Sequence, residues 1–98
     1  MAYEIIWTDN AREDLKSIFK FLRDDWSTVI ADKFLEECEI KIDLISHFPY
    51  IGIQSEKIKS VHRILITKHN ALYYKVEANK IILLDFFDTR QNPSKNKL

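Results

Sequence analysis

The chain has 98 residues and a formal net charge of zero, and its 46% hydrophobic and 31% charged side chains are typical of one folded domain rather than a disordered segment. No apolar run approaches the roughly 20 residues of a membrane-spanning helix, and the N-terminus lacks the basic start of a secretory signal, so we expect a cytoplasmic protein. A lone cysteine excludes an internal disulfide, and we expect neither a metal nor another cofactor.

A strand and a helix are predicted first along the chain. Residues 3–7 (YEIIW) are rich in β-branched and aromatic side chains, which is typical of a strand. Thr8 can cap a helix that begins just after it, because apolar side chains then recur at helical spacing as far as about Asp24. The recurring positions are Ala11, Leu15, Ile18, Phe19 and Leu22.

A second helix is predicted to start at Ser27 and Thr28. Its apolar positions form a stripe with helical spacing, and Cys38 falls within that stripe, which indicates a small core residue rather than a nucleophile. Pro49 cannot continue the helix, and the short connection to the first helix predicts an antiparallel helical hairpin. The stripe consists of Ala31, Phe34, Leu35, Cys38, Ile42 and Ile45.

The second half of the chain predicts three consecutive strands, Val61–Thr67, Asn70–Glu77 and Lys80–Asp88, joined by tight turns. The last of these is apolar on both faces, which indicates a central position in the sheet. The order β-α-α-β-β-β predicts a single α+β domain over residues 1–98, with a helical hairpin packed on one face of a mostly antiparallel sheet. The other face is expected to be open to water or a partner, and the polar tail at residues 94–98 is expected to fray.

Charge is divided unevenly between the halves of the chain. Residues 1–50 carry 11 acidic and 6 basic side chains, whereas residues 51–98 carry 4 acidic and 9 basic ones. Four of the basic side chains lie on the predicted strands or beside them, and a sheet can bring together residues that are distant in sequence. They could hold a phosphodiester and stabilise negative charge, or simply block edge-to-edge pairing of strands. These four are Arg63, Lys68, Lys75 and Arg90.

The three histidines show no metal-ligand spacing with each other or with the cysteine. His69, in the predicted turn between the first two of the three strands, is a candidate acid or base toward a bound substrate, and a solvated turn residue is the alternative. The sequence contains no phosphate-binding glycine loop, serine triad or nucleotide fingerprint. The residues alone therefore leave catalysis open and indicate no cofactor.

Six short segments resemble motifs of the RelE/ParE superfamily of toxins. Residues 31–35 (ADKFL) are similar to A-x-x-F-L in the second helix of these proteins, residues 47–52 (HFPYIG) to F-P-x-x-G, and residues 72–76 (LYYKV) to L-I-Y-x-V. No segment is specific alone, but their order and spacing extend over nearly the whole chain. The other similar segments are residues 8–15, 61–65 and 88–93.

The resemblance implies a toxin of a bacterial type II toxin–antitoxin pair, of the kind associated with plasmid stabilisation and growth inhibition. RelE-like toxins of this fold enter the ribosome and cleave mRNA through basic residues without a metal, whereas ParE-like toxins inhibit DNA gyrase. A cognate antitoxin neutralises either kind by wrapping it with an extended or helical segment. The resemblance therefore also implies a toxin–antitoxin hetero-oligomer.

Two departures from the RelE pattern favour the ParE-like interpretation. Ala71 stands where RelE-type enzymes carry an arginine, and neither tyrosine nor histidine follows Phe87. Growth arrest through gyrase is thus the leading hypothesis. The alternatives are a non-toxic interaction module and a metal-independent, ribosome-dependent endoribonuclease. The catalytic residues of that nuclease would be Arg63, Lys68, His69 and Arg90.

Antitoxin binding is expected on the open sheet face and the helical hairpin, through exposed apolar side chains. Ordinary core or loop packing is the alternative for these side chains. The toxin mechanism also requires the scattered cations to gather on the open face, with Arg63 and Arg90 on the same side. The candidate partner-binding residues are Trp26, Tyr50, Ile51, Ile53 and Tyr73.

Overall fold

The computed structural model describes residues 2–90, which form two helices and five strands. The elements in chain order are β1 (Glu4–Trp7), α1 (Asp9–Asp25), α2 (Thr28–His47), β2 (Ile53–Gln54), β3 (Val61–Thr67), β4 (Asn70–Glu77) and β5 (Lys80–Asp88). The predicted α+β class and the order of the helices and long strands are confirmed. The tail at residues 94–98, for which fraying is predicted, lies outside the described residues.

The five strands form one mixed sheet in the order β1-β5-β4-β3-β2. β1 runs parallel to β5, and the other neighbouring pairs are antiparallel. The predicted central position of β5 is confirmed, since β1 and β4 flank it. β2 was not predicted because it has only two residues and both are exposed, so it lacks the alternating pattern that marks a strand in a sequence.

β1 pairs with only the first part of β5, and helix α1 provides hydrogen-bond partners for the rest of that edge of the strand. β1 ends opposite Leu83, and the chain then turns into the helix. The Thr8 hydroxyl donates to the Leu83 carbonyl at 2.7 Å, and it accepts the Ala11 N–H at 3.0 Å as the predicted helix cap. Further along α1, Asp14 accepts the backbone N–H of Phe86 at 3.2 Å. Polar side chains of the helix thus replace the missing strand and provide partners for the backbone of β5.

Only Trp26 and Ser27 separate the two helices. Their backbone N–H groups both donate to the Leu22 carbonyl, at 3.0 and 2.9 Å, which closes α1. The Ser27 hydroxyl then caps α2 by accepting the Ile30 N–H at 3.1 Å. The predicted helical hairpin is confirmed. Among the described residues, neither helix is long and apolar enough to cross a membrane.

The main core lies between the hairpin and one face of the sheet. Cys38 is only 3% exposed within this core. Burial, together with the neighbouring carboxylates of Glu37 and Glu39, raises the pKa of the Cys38 thiol to about 12. Cys38 is thus an unreactive core side chain, as its place in the apolar stripe predicts. Other fully buried members include Ala11, Ile18, Leu22, Ala31, Phe34, Ile45, Leu72, Tyr74, Ile81 and Leu83.

The face of the sheet away from the helices is not bare, which corrects the expectation from the sequence. Val61, Tyr73 and Phe87 form a second buried cluster there, and Leu84 packs against it. Because side chains alternate along a strand, these residues face away from their neighbours in the main core. Tyr73 is only 4% exposed, so the prediction that it is exposed is wrong, while its role in partner binding stays a prediction.

Candidate functional site

Tyr74 fixes the segment that follows α2 to the sheet. Its side chain is fully buried, and its hydroxyl donates to the Pro49 carbonyl at 2.8 Å and accepts the Gly52 N–H at 3.1 Å. Burial raises the pKa of Tyr74, and the hydrogen bond from Gly52 offsets part of that rise. Pro49 and Gly52 must both reach the same hydroxyl, which accounts for the short spacing between them.

The fixed segment presents large apolar side chains to solvent. Tyr50 is 66% exposed, Ile51 54% and Ile53 66%, so the prediction that these three are exposed is confirmed. Phe48, which follows the last residue of α2, is 60% exposed. We call Phe48, Tyr50, Ile51 and Ile53 the loop surface. Contiguous exposed apolar groups of this kind are typical of protein-binding surfaces.

A cavity of about 240 Å³ lies on the sheet face away from the helices, and we call it the Arg63 cavity. Arg63 and Tyr73, which are partners across β3 and β4, line it together with loop residues that follow β2. It combines two cations with one carboxylate, so its charge does not single out an anionic ligand. Its lining residues are Ile53, Gln54, Ser55, Glu56, Lys57, Arg63 and Tyr73.

A second cavity, of about 260 Å³, lies where the helical hairpin meets the turn between β3 and β4, and we call it the hairpin cavity. Three cations, Lys33, Lys68 and Arg90, line it together with His69, and no carboxylate is among its lining residues. The remaining lining residues are Leu22, Ile30, Phe34, Thr67 and Asn70. The hairpin cavity therefore combines apolar walls with an excess of positive charge.

Arg90 is held at the hairpin cavity by an acid and an aromatic ring. Its guanidinium pairs with Asp88 at 3.2 Å, and its backbone N–H donates to the same carboxylate at 2.7 Å. The guanidinium carbon lies 5.0 Å from the centre of the Trp26 ring, within the range of a cation–π interaction. Asp88 is buried and also accepts a hydrogen bond from the Asn70 amide. The position of Arg90 is thus set by groups of the protein itself.

The structure brings together three of the four predicted nuclease residues. Lys68, His69 and Arg90 line the hairpin cavity, whereas Arg63 lines the Arg63 cavity on the opposite face of the sheet. The expectation that Arg63 and Arg90 share the open face is therefore wrong, while a catalytic role for any of the four stays a prediction.

Lys75 takes part in an ion pair within β4, at 3.0 Å. In the described part of the chain, no group of three or more histidine, cysteine or acidic side chains could hold a metal ion.

Two residues of these surfaces were not predicted. Lys33 lies on the charged outer face of α2, where nothing in the sequence distinguishes it from its neighbours.

His62 is 6% exposed, and its ring centre lies 5.6 Å from those of both Tyr50 and Tyr74. Its Nδ1 is buried without a hydrogen-bond partner among residues 2–90. His62 thus supports the loop surface by packing, and its position within an apolar strand is the only signal in the sequence.

Comparison with known proteins links the chain to one family. A family model described as the ParE toxin of the type II toxin–antitoxin system parDE matches residues 5–93. None of the curated protein sequences compared with the chain matches it.

Several solved structures share the fold. The chromosomal ParDE toxin–antitoxin system from P. aeruginosa matches with a TM-score of 0.73 and 17% identity, over 89% of this chain and 96% of that chain. A free-state mutant of the E. coli toxin RelE matches with a TM-score of 0.65 and 13% identity, over 95% of this chain and 90% of that chain. The toxin–antitoxin complex RelBE2 from Mycobacterium tuberculosis matches with a TM-score of 0.61 and 14% identity, over 90% and 99%. At these identities the similarity establishes the fold.

Proposed function

Because the chain belongs to the ParE toxin family of type II toxin–antitoxin systems, we propose that it arrests bacterial growth by inhibiting DNA gyrase and that a cognate antitoxin neutralises it. The observation that carries the proposal is the match of the ParE model to residues 5–93, which include both helices and nearly all of the sheet. The toxin would act in the cytoplasm, where gyrase meets DNA.

The proposed inhibition of gyrase depends on the loop surface and no longer on a gathering of the cations on the open face. The separation of Arg63 from Arg90 instead supports a mechanism that does not cut RNA. Acid–base cleavage of a phosphodiester needs its groups within about 3 Å of the reacting atoms, so the catalytic residues must converge on one site. Arg63 lies outside the hairpin cavity, and Arg90 already pairs with Asp88 at 3.2 Å. Ala71 leaves the middle strand without the arginine of the RelE pattern.

The overall charge also suits a protein target better than the ribosome. Binding to RNA draws much of its affinity from lysine and arginine side chains that neutralise phosphates, whereas this chain has a formal net charge of zero. Inhibition of gyrase requires a surface that binds protein, and the exposed apolar side chains of the loop surface meet that requirement. We expect an antitoxin to neutralise the toxin by covering the loop surface and the adjoining hairpin.

One observation favours a second candidate, a metal-independent, ribosome-dependent endoribonuclease. Lys68, His69 and Arg90 line a single cavity. A histidine can transfer protons near neutral pH, and two cations can stabilise the charge that develops on a phosphodiester. In this candidate the three residues would act without Arg63.

Expression of the chain without an antitoxin tests the proposal. Inhibition of gyrase predicts growth arrest, induction of the DNA-damage response and unchanged mRNA 5′ ends. The purified chain is also expected to block supercoiling of plasmid DNA by purified gyrase. Codon-phased cuts in mRNA would replace the proposal by the nuclease, and normal growth would indicate a non-toxic interaction module.

A matched pair of histidine variants separates the two toxic mechanisms within one strain. His69→Ala removes the histidine that lines the hairpin cavity, so a nuclease that uses it as acid or base is expected to lose about 10²–10⁴-fold in cleavage rate. Inhibition of gyrase is expected to survive this change. His47→Ala is the control, because His47 lies at the end of α2 and does not line the hairpin cavity.

A further inference from the structure

We propose that the hairpin cavity is the docking site for an acidic segment of the antitoxin. An apolar side chain of the segment enters between α2 and the turn that joins β3 and β4, and flanking carboxylates bind Lys33, Lys68 and Arg90. The inference rests on the proposed function, because it takes neutralisation by an antitoxin as its premise. It adds a binding site and the chemistry of the segment that fills it.

The walls of the cavity suit an apolar anchor. Leu22 and Phe34 belong to the main core and line the cavity, and Ile30 beside them is 37% exposed. The apolar surface continues outside the cavity, where Trp26 is 52% and Val29 76% exposed. Exposed tryptophan and aliphatic side chains next to a cavity are typical of the centre of a protein interface.

The charge of the cavity selects an anionic partner. No carboxylate lines it, and Lys33 and Lys68, unlike Arg90 with Asp88, have no ion pair within residues 2–90. The first turn of α2 contains no acidic residue, so the positive end of the helix dipole adds to the same potential. A segment with carboxylates on either side of its anchor would complement this potential.

Arg90 provides a pre-positioned contact for such a segment. Asp88 engages its Nε and Nη2 atoms, at 3.4 and 3.2 Å, and the Trp26 ring lies under the guanidinium. Nη1 has no partner in the part of the chain that the structure describes, and its two N–H groups can donate to a carboxylate. Because Asp88 and Trp26 already hold the guanidinium, little side-chain entropy is lost when a partner binds.

A peptide matches these features better than a nucleic acid does. A phosphate backbone would engage the three cations but would leave the walls formed by Leu22, Ile30 and Phe34 in contact with water. A peptide that carries both carboxylates and an apolar side chain satisfies the charge and the walls at once. The occupant of the cavity is therefore a protein segment.

The first experiment uses the full chain and the protein encoded immediately upstream of it, which is the usual place of the antitoxin gene in a type II pair. The two proteins are co-expressed and purified as a complex. Lys33→Glu combined with Lys68→Glu is expected to raise the dissociation constant of the complex at least about 10-fold and to reduce its dependence on salt. Both side chains are exposed, so the fold should tolerate the changes. Lys59→Glu combined with Lys80→Glu makes the same change of charge at exposed positions outside the cavity and the helical hairpin, and should leave the affinity unchanged.

The second experiment uses a synthetic peptide in which leucine and phenylalanine are flanked by pairs of glutamates. Titration is expected to shift the NMR signals of Lys33, Lys68 and the Trp26 indole, and the same peptide with lysines in place of glutamates should shift none of them.

An unchanged complex for the Lys33 and Lys68 variant overturns the inference and leaves the proposed function standing. Loss of gyrase inhibition with an intact complex also overturns it, because the cavity would then serve the target. If no complex with the upstream protein forms at all, the proposed neutralisation fails and the inference fails with it.

Discussion

Gly52 and Tyr74 lie so close together that no side chain fits between them. A Cβ at Gly52 would lie 2.6 Å from the Tyr74 hydroxyl oxygen and 2.8 Å from the backbone carbonyl oxygen of Arg63. The hydroxyl could withdraw only by losing its hydrogen bond to Pro49, and the carbonyl belongs to a strand that pairs on both sides. The loop surface and the Arg63 cavity are therefore held in place by one glycine and one buried tyrosine.

Gly52→Ala is expected to destabilise the protein by about 2–3 kcal/mol, because the new methyl group overlaps a backbone carbonyl that cannot move freely. For a chain of this length the melting temperature should fall by roughly 10–20 °C, which calorimetry or circular dichroism can measure. Glu56→Ala, an exposed change a few residues further along the same loop, should stay within about 0.5 kcal/mol of the wild type. Equal melting temperatures for Gly52→Ala and the wild type would contradict the packing described above.

Tyr74→Phe is expected to cost about 1–3 kcal/mol, because it leaves the Pro49 carbonyl and the Gly52 N–H without their partner. Urea unfolding of this variant and of Tyr50→Phe gives the comparison, since the ring of Tyr50 is mostly exposed and its change should be nearly neutral. Gly52→Ala should cost less in the Tyr74→Phe background, where one of the two clashing oxygens is gone. Strict additivity of the two changes would show that they act independently.

Local signals in the sequence are sufficient to predict most of the fold. The hydrophobic periodicity defines both helices, and Thr8, Ser27 and Pro49 mark their ends. The parallel pairing of β1 with β5 is not predictable in this way, because it joins residues such as Trp7 and Leu83 that are far apart in sequence. Tertiary packing determines which strands are neighbours, and neither strand carries a periodic signal of that pairing.

The candidate site is less predictable because small irregularities decide where side chains lie. Leu84 forms a bulge where the register between β4 and β5 shifts, so the face of a residue near the end of β5 cannot be counted along the chain. Arg90 lies beyond that strand and turns to Asp88 and Trp26, away from the face of Arg63. By contrast, the exposure of Tyr50 and Ile51 could be predicted from the sequence, because both lie in a loop between a proline and a glycine.

The stability of the protein is expected to fall above about pH 9 because of Cys38. An exposed thiol ionises near pH 8.5, so the unfolded chain releases its proton there, whereas burial raises the pKa of Cys38 to about 12 in the folded state. Between these values the free energy of unfolding should decrease by about 1.4 kcal/mol per pH unit, and below about pH 8.5 the contribution is fully present. Urea unfolding at several pH values measures the slope.

Cys38→Ala is the control for this pH dependence. The variant is less stable at neutral pH because it leaves a small cavity, but its stability should decrease less steeply between about pH 9 and pH 10. The raised pKa of Tyr74 should preserve part of the decrease above about pH 10 in both proteins, since this group too is held uncharged by burial. Parallel curves for the two proteins over the whole range would exclude Cys38 as the cause.

Ala78→Gly is expected to stabilise the protein by about 0.5–1 kcal/mol. Ala78 lies in the turn between β4 and β5 with φ of 55°, a left-handed conformation that costs a residue with a Cβ roughly 1–2 kcal/mol. The greater freedom of glycine in the unfolded chain offsets part of the gain. Asn79→Gly in the same turn relieves no positive φ, so thermal unfolding should show no stabilisation for it.

The loop surface is expected to contribute to antitoxin binding without contributing to stability. Ile51 and Ile53 are each more than half exposed, so Ile51→Ser combined with Ile53→Ser should change the free energy of unfolding by less than about 1 kcal/mol. If the antitoxin buries these side chains, its affinity should fall by roughly 10-fold or more, as isothermal titration calorimetry of the purified partners can measure. Ile58→Ser is the control, because Ile58 is 46% exposed and lies outside both the loop surface and the helical hairpin. Equal losses of affinity for the two variants would mean that general surface hydrophobicity, and not this segment, governs the complex.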